Sequence, residues 1–289
     1  MGQGKSREIR TKIKSVKNTQ KITKAMKLVS ASKLRKAAQE IEKLRPYMQA
    51  LSQMLCELDR GIDASSKGAG NKAVVVVFAG ERALCGSFNV SVVKTGVALG
   101  EELAKEGFVV QYVAIGKKAA EGLKNRGCTV LRQFNLAQVI PTVEFSREIS
   151  TYLEELTATD GVSKVVLAYT EFKSAMSKKL RTVQFLPFDP KQFMASDMQQ
   201  NPVQEHSLYE PSRMDVVQEI REQLLKGLLH QCYMDSLASE YGSRMVAMDN
   251  ASRNCKELTN KLTLRLNRER QASITQEIAE IVGGAAGLQ

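Results

Sequence analysis

Two long helical periodicities, one at each end of the chain, constrain its fold more than any other feature. Residues 6–58 contain one proline and no glycine. Apolar residues fall at Ile9, Ile13, Val16, Ile22, Met26 and Val29. From there the spacing becomes regular at Leu34, Ala37, Ile41, Leu44, Met48, Leu51, Leu55 and Leu58. Intervals that alternate between three and four residues mark the narrow seam of a left-handed coiled coil. Pro46 removes one rung of the hydrogen-bond ladder, which predicts a bend. The seam keeps its phase beyond Pro46, so the helix bends rather than stops. A second stretch, 214–281, carries Val217, Ile220, Leu224, Leu228, Cys232 and Leu237. It continues at intervals of four and three through Tyr241, Met245, Met248, Ser252, Cys255, Thr259, Leu262 and Leu266. This seam includes small and polar residues, so it needs a partner, and the N-terminal helix is the natural one. Two helices separated by a closed domain meet only if the ends of that domain lie together, which makes the pair antiparallel.

The middle of the chain follows a different rule. Residues 61–71 are crowded with Gly, Ser, Asp and Asn and read as a linker. The run 73–78 is a buried strand by composition and length. Helices are then expected over 90–105, 117–125 and 142–156, and strands over 108–115, 128–134, 165–172 and 180–188. Alternation of strand and helix implies a mainly parallel sheet covered on both faces. The last two strands have no helix between them and are expected to pair antiparallel at one edge. The expected fold is α/β plus long helices, with a Rossmann-like α/β domain of about five strands between the arms of an antiparallel coiled coil. Its expected parts are an N-terminal coiled-coil helix (1–60), the α/β domain (72–190), a connecting loop or strand (191–212) and a C-terminal coiled-coil helix (213–289).

Charge is concentrated at one end. Residues 1–45 hold fourteen Lys and Arg against three Glu, a net of +11 that equals the net charge of the whole chain. Charges so dense on one helix repel each other unless an acidic partner is present. Two partners fit, nucleic acid phosphates and acidic protein surfaces, and a solvated face is the third reading. The basic residues surround the helix instead of collecting toward one groove, and base-reading residues are not clustered. At the opposite end, 281–288 is a run of small and apolar residues without charge. It reads either as a frayed terminus or as a smooth tip held in an apolar sleeve.

Several chemistries find no support. The longest apolar run, 73–79, is far shorter than the roughly 20 residues that span a bilayer. The N-terminus lacks the apolar core of a secretory signal. Five cysteines (Cys56, Cys85, Cys128, Cys232, Cys255) without CxxC spacing suggest free thiols in a reducing compartment. A P-loop is absent, and the turn 80–86 after the first strand lacks GxGxxG spacing. Cys85 beside Arg82 could be an activated thiol, but a buried structural thiol is the stronger reading. His230 reads as a core or interface histidine and His206 as a solvated one. No cofactor, metal site or catalytic residue is expected.

The segment RTKIKSVKNTQKITKAMKLVSASKLR (10–35) resembles the N-terminal signature of the ATP synthase gamma-subunit family, and NRERQASITQEIAEIVGGAA (267–286) resembles its C-terminal signature. ASE (238–240), RMVAM (244–248) and SLYEP (207–211) resemble intervening segments. The resemblance covers the whole chain. It implies the central rotor shaft of an F-type, ion-driven ATP synthase, itself non-catalytic, turning inside a ring of alpha and beta subunits. It implies that Lys21, Lys24, Met26 and Lys27 face an acidic lever loop of the beta subunit. Arg270 and Gln271, followed by Thr275 and Glu277, would contact a second loop of that subunit. Tyr209 and Glu210 would fall in the foot that meets the membrane c-ring and the epsilon subunit. Contact between Met26 and the Arg270 region is expected as well. Nucleic acid is not expected as a partner. The implied location is peripheral, at the cytoplasmic face of a bacterial inner membrane and attached through the c-ring. Where the family commonly shows DRGLCGG, this chain has ERALCGS (81–87), so two glycines are replaced. The paired-cysteine insertion of plant chloroplast members is missing.

Overall fold

The structure, a computed structural model, describes residues 2–58, 70–135, 143–174, 177–188 and 210–286. Ten elements follow one another: α1 (Gly2–Leu58), β1 (Lys72–Phe78), α2 (Phe88–Lys105), β2 (Val109–Ile115), α3 (Lys117–Lys124), β3 (Val130–Phe134), α4 (Val143–Thr159), β4 (Val162–Phe172), β5 (Lys178–Leu186) and α5 (Arg213–Ala286). The expected combination of long terminal helices and a five-stranded α/β domain is present. Among the described residues no helix is long and apolar enough to cross a membrane. His206 and Tyr209 lie outside the described residues, as does the C-terminal end of the apolar tip. The chain divides into two compact units, Met1–Ser30 with Met245–Gln289, and Ala31–Arg244.

In the larger unit the strand order is β3-β2-β1-β4-β5. β1 pairs parallel with β2 and β4, and β2 pairs parallel with β3. β5 closes the edge antiparallel to β4. Side chains alternate across a strand, and β1 shows the result. Val74, Val76 and Phe78 join one core with α4, α5 and α1 residues such as Ile149, Leu153, Leu224, Leu228 and Leu55. Ala73, Val75 and Val77 join a second core with Val92 and Leu103 of α2 and Leu123 of α3. A sheet buried on both faces explains why β1 reads as an unbroken apolar run rather than an alternating one.

The regular seam of α1 is used in this unit. Ala37, Ile41, Met48, Leu55 and Leu58 are buried, and Leu44 and Leu51 pack against the core. Helices α1 and α5 run antiparallel here, since Lys33 lies over the Tyr241 ring and Arg213 donates to the Leu58 carbonyl at 2.7 Å. They pack tightly at Gly227, where a Cβ would overlap the Met48 sulfur unless that side chain moved. Pro46 lies inside an uninterrupted α1, as the phase of the seam implies.

The smaller unit has a thinner interior. Among its described residues Ile9 and Met248 are the buried apolar side chains, and Thr23, Ser30 and Thr259 are the buried polar ones. The expected placement of Ile22 and Val29 on the stripe is not met, for both are more than half exposed. The seam instead passes from Ile9 through Ile13, Val16, Gln20, Thr23, Lys27 and Ser30, positions that keep the same alternation of four and three. An apolar-only reading misses it because four of these seven side chains are polar. Thr23 Oγ1 compensates its burial by donating to the Gln20 carbonyl at 3.0 Å. On α5 the expected positions Met248, Ser252, Cys255, Thr259, Leu262 and Leu266 are all buried or half-buried.

Candidate functional surfaces on the terminal helices

In the smaller unit α1 and α5 are antiparallel, and one ion pair fixes their register. Lys27 Nζ donates to Asp249 Oδ1 at 2.6 Å, and this hydrogen bond holds the Asp249 carboxyl below its usual range. Asp249 also pairs with Arg253 at 3.1 Å. Nearer the N-terminus, Glu8 feels the charge of Arg265, although its main partner is Lys12 at 2.6 Å. Residue numbers on α5 rise as those on α1 fall.

Lys21 and Lys24 are exposed, Met26 is half-buried, and Lys27 is a seam residue whose ammonium is already engaged by Asp249. Two exposed cations thus precede a half-buried thioether on the same helix, while Lys27 serves the helix pair. Ile22, Leu28 and Val29 add exposed apolar area to the same stretch. On α5, Arg270, Gln271, Thr275 and Glu277 are all exposed. Thr275 Oγ1 donates to the Gln271 carbonyl at 2.9 Å, and Ser273 donates to Glu277 at 3.4 Å. The register does not bring Met26 to the Arg270 region. Met26 is level with Asp249, and 21 helical residues separate Asp249 from Arg270, a rise of about 32 Å at roughly 1.5 Å per residue. The expectation that they touch is corrected, and they form two stations along one coil. Glu210 is exposed just before α5.

A further assembly stands in the larger unit. Residues 232–244 of α5 are buried on all sides although half of them are polar or charged. Ser236 donates to the Phe78 carbonyl at 3.2 Å, and Ser239 to the Thr170 carbonyl at 3.1 Å, so the helix is stitched to the ends of β1 and β4. Arg244 Nη2 donates to Glu240 Oε1 at 2.6 Å and to the Arg82 and Ala83 carbonyls at 3.3 Å each. Burial raises the Glu240 carboxyl, and Arg244 opposes that rise. A Cβ at Gly80 would stand 2.6 Å from the Glu240 carboxyl carbon, so glycine there lets the carboxyl keep its place against the turn after β1. The signal in the sequence is a Glu and an Arg four residues apart, a spacing that puts them on one face.

The two replaced glycines of that turn leave no strain of their own. Ser87 is the N-cap of α2 with φ −83°, and Leu84, not Ala83, takes the left-handed conformation at φ 68°. Cys85 is buried, and burial pushes its thiol up, with Glu240 adding to the effect. Both favour the neutral thiol of a buried structural cysteine. His230 Nδ1 lies 3.0 Å from Ser146 Oγ, and burial lowers its pKa against the pull of Glu40. Ser146 is itself fully buried in α4, so the pair joins two helices and does not form a nucleophile and base. Among the described residues no group of His, Cys, Asp and Glu could hold a metal ion.

A family described as ATP synthase has a sequence model that matches residues 5–288 of the chain. The ATP synthase gamma chain of Halothermothrix orenii is 35% identical over 289 residues, covering 98% of this chain and 99% of that one. The fold is also similar to two solved structures. One is the rotor of the Euglena gracilis mitochondrial ATP synthase, with a TM-score of 0.66, 21% identity, and coverage of 94% of this chain and 99% of that one. The other comes from the OSCP/F1/c-ring structure of the same organism's enzyme, with a TM-score of 0.68, 22% identity, and coverage of 99% and 95%.

Proposed function

Because the chain belongs to the ATP synthase gamma-chain family, we propose that it is the central-stalk rotor of an F-type ATP synthase, a non-catalytic subunit coupling c-ring rotation to catalysis on the beta subunits. The observation that carries this reading is the family match over nearly the entire length, both terminal helices included. Its partners are the alpha and beta subunits around the coil, and the epsilon subunit and c-ring at the foot. Its place is the cytoplasmic face of a bacterial inner membrane, to which it is attached through the c-ring.

The contact residues follow from exposure and charge. Lys21 and Lys24 present ammonium groups to an acidic loop of a beta subunit, with Met26 two residues beyond Lys24 and Lys27 holding the helix pair. Arg270, Gln271, Thr275 and Glu277 form a second station, about 32 Å along α5 by helical rise. Tyr209 and Glu210 belong to the foot. Rotation works through asymmetry, because each beta subunit meets a different face of the coil in turn. A contact biases a nucleotide site only by its differential free energy between open and closed states. No single ion pair need dominate, since exposed pairs are worth about 0–1 kcal/mol.

Reconstitution with alpha and beta subunits tests the proposal. The chain should restore ATPase activity, and in membranes Met26→Lys should lower proton pumping per ATP hydrolysed by adding a third cation to a moving contact. Normal pumping at an unchanged ATPase rate in that variant would refute the assignment of Met26.

A further inference from the structure

The larger unit contains a cleft of about 470 Å³ between α1, α5 and the end of β4, within the range of roughly 300–1,000 Å³ for small-molecule sites. Its inner wall is formed by Met48, Ser52 and Asp235, all buried, and its mouth by Arg45, Gln49 and Lys173, all exposed. Asp235 is only 3% exposed, and its Oδ1 finds no hydrogen-bond partner among the described residues. A buried acceptor without a donor is rare in folded proteins and calls for a specific explanation.

The neighbouring groups do not meet that need. The Ser52 hydroxyl is committed to the Met48 carbonyl at 2.8 Å. Glu171, a further lining residue, accepts from Arg181 at 2.9 Å. The Phe172 backbone bonds Asp235, and the charge of Arg45 favours its ionised form, yet burial still pushes the carboxyl up to about 7. The cleft is thus polarised, with an unmet acceptor inside and two cations at the rim. A simple cation would satisfy the inner end but meet repulsion at the mouth, and a simple anion would do the reverse.

We infer that the cleft binds a small zwitterion of amino-acid size, its ammonium or guanidinium group donating to Asp235 Oδ1 and its carboxylate lying against Arg45 and Lys173. The ligand supplies the missing donor and places opposite charges at both ends. Binding also favours the ionised form of Asp235, so affinity falls as pH drops from 8 to 6. The charged and titratable groups that act on Asp235 are Arg45 on α1, Tyr169 and Glu171 on β4, Arg181 on β5 and Cys232 on α5, with Lys173 at the rim of the cleft.

Titration calorimetry of the full-length chain at pH 8 tests this with free L-arginine and with agmatine, which lacks the carboxylate. Arginine should bind saturably and more tightly than agmatine, and Asp235→Asn should weaken arginine at least about tenfold. Arg45→Gln, a change at an exposed side chain that leaves the fold intact, should weaken arginine while strengthening agmatine. The proposal is overturned if arginine gives no saturable heat, if Asp235→Asn binds it unchanged, or if Arg45→Gln moves both ligands in the same direction. Should Asp235→Asn fail to fold, the opposite shifts in Arg45→Gln decide the matter.

Discussion

Removing the Arg244 guanidinium should cost about 4 kcal/mol of stability at neutral pH and much less in mild acid. Arg244 and Glu240 form a pair whose side chains are 11% and 8% exposed, and Arg244 also serves two carbonyls of the turn after β1. In Arg244→Ala the Glu240 carboxylate keeps its burial and loses its counter-charge, and its cheapest response is to take up a proton. Holding a carboxyl neutral at pH 7 against a reference value near 4.3 costs about 3.7 kcal/mol, at about 1.36 kcal/mol per unit. The carbonyls of Arg82 and Ala83 lose their donor but lie in a surface turn where water substitutes, adding up to about 1 kcal/mol. The total agrees with the roughly 3–5 kcal/mol typical of breaking one side of a buried pair. The direction with pH is that of any ion pair, since a protonated carboxyl no longer misses its cation. Burial raises the Glu240 carboxyl in the folded chain, so the folded state binds the proton more readily. Losing Arg244 raises that carboxyl further, so the penalty shrinks as pH falls, by at most about 2.7 kcal/mol between pH 7 and pH 5. Adding Glu240→Gln to Arg244→Ala should recover a similar amount at pH 7. Urea unfolding followed by tyrosine near-ultraviolet dichroism suits a chain with no tryptophan, since Tyr233 and Tyr241 flank the pair. A cost below about 1 kcal/mol at pH 7, or one that does not change between pH 5 and 7, would refute the reasoning.

Three other outcomes are expected. Burial lowers the pKa of His230 in the folded chain, so the unfolded chain binds the proton more readily and stability falls as pH drops below about 6.5. His230→Gln should flatten that acid-side slope in urea midpoints between pH 7.5 and 5.5, and an unchanged slope would contradict it. Gly227→Leu should destabilise by about 1–3 kcal/mol through overpacking against Met48. A thermal melt of Gly227→Leu combined with Met48→Ala should show partial recovery, and no recovery would place the strain elsewhere. Cys85 and Cys232 are buried whereas Cys128 and Cys255 are partly exposed. Maleimide labelling read by mass spectrometry should spare the first two in the native chain and modify them in urea.

Much of this fold can be read along the chain because its signals are local. The run at 73–78 and the helix–strand alternation after it depend on neighbouring residues, and each expected strand and helix lies within a few residues of an observed one. The seam of α1 beyond Leu34 is equally plain, because apolar side chains at a period of 3.5 have no other use. Before Leu34 the rule fails. Gln20, Thr23, Lys27 and Ser30 occupy the interior, while Ile22 and Val29 face outward and misdirect an apolar count. Long-range matching was less accessible still. Nothing in either helix alone states that Lys27 lies opposite Asp249, and without that register Met26 and Arg270 look closer than they are. The clamp of Glu240 and Arg244 on the turn after β1, and the unmet oxygen of Asp235, depend on residues more than 60 positions away. The exposed site residues Lys21, Lys24, Arg270 and Gln271 came from motif resemblance, because exposure alone does not distinguish them from other charged positions.

The unbroken phase of the α1 seam has a mechanical consequence. A straight helix drifts by about 20° per heptad against a repeat of 3.5, so a pair that keeps its seam must wind left-handedly. In the smaller unit that winding is held by a few polar contacts and two buried apolar side chains. A wound rope of this kind does not answer torque equally in both senses. Turning one end one way tightens the lay of the strands, and turning it the other way loosens it. A machine driven in either direction through such a coil would be stiffer in one gear than in the other.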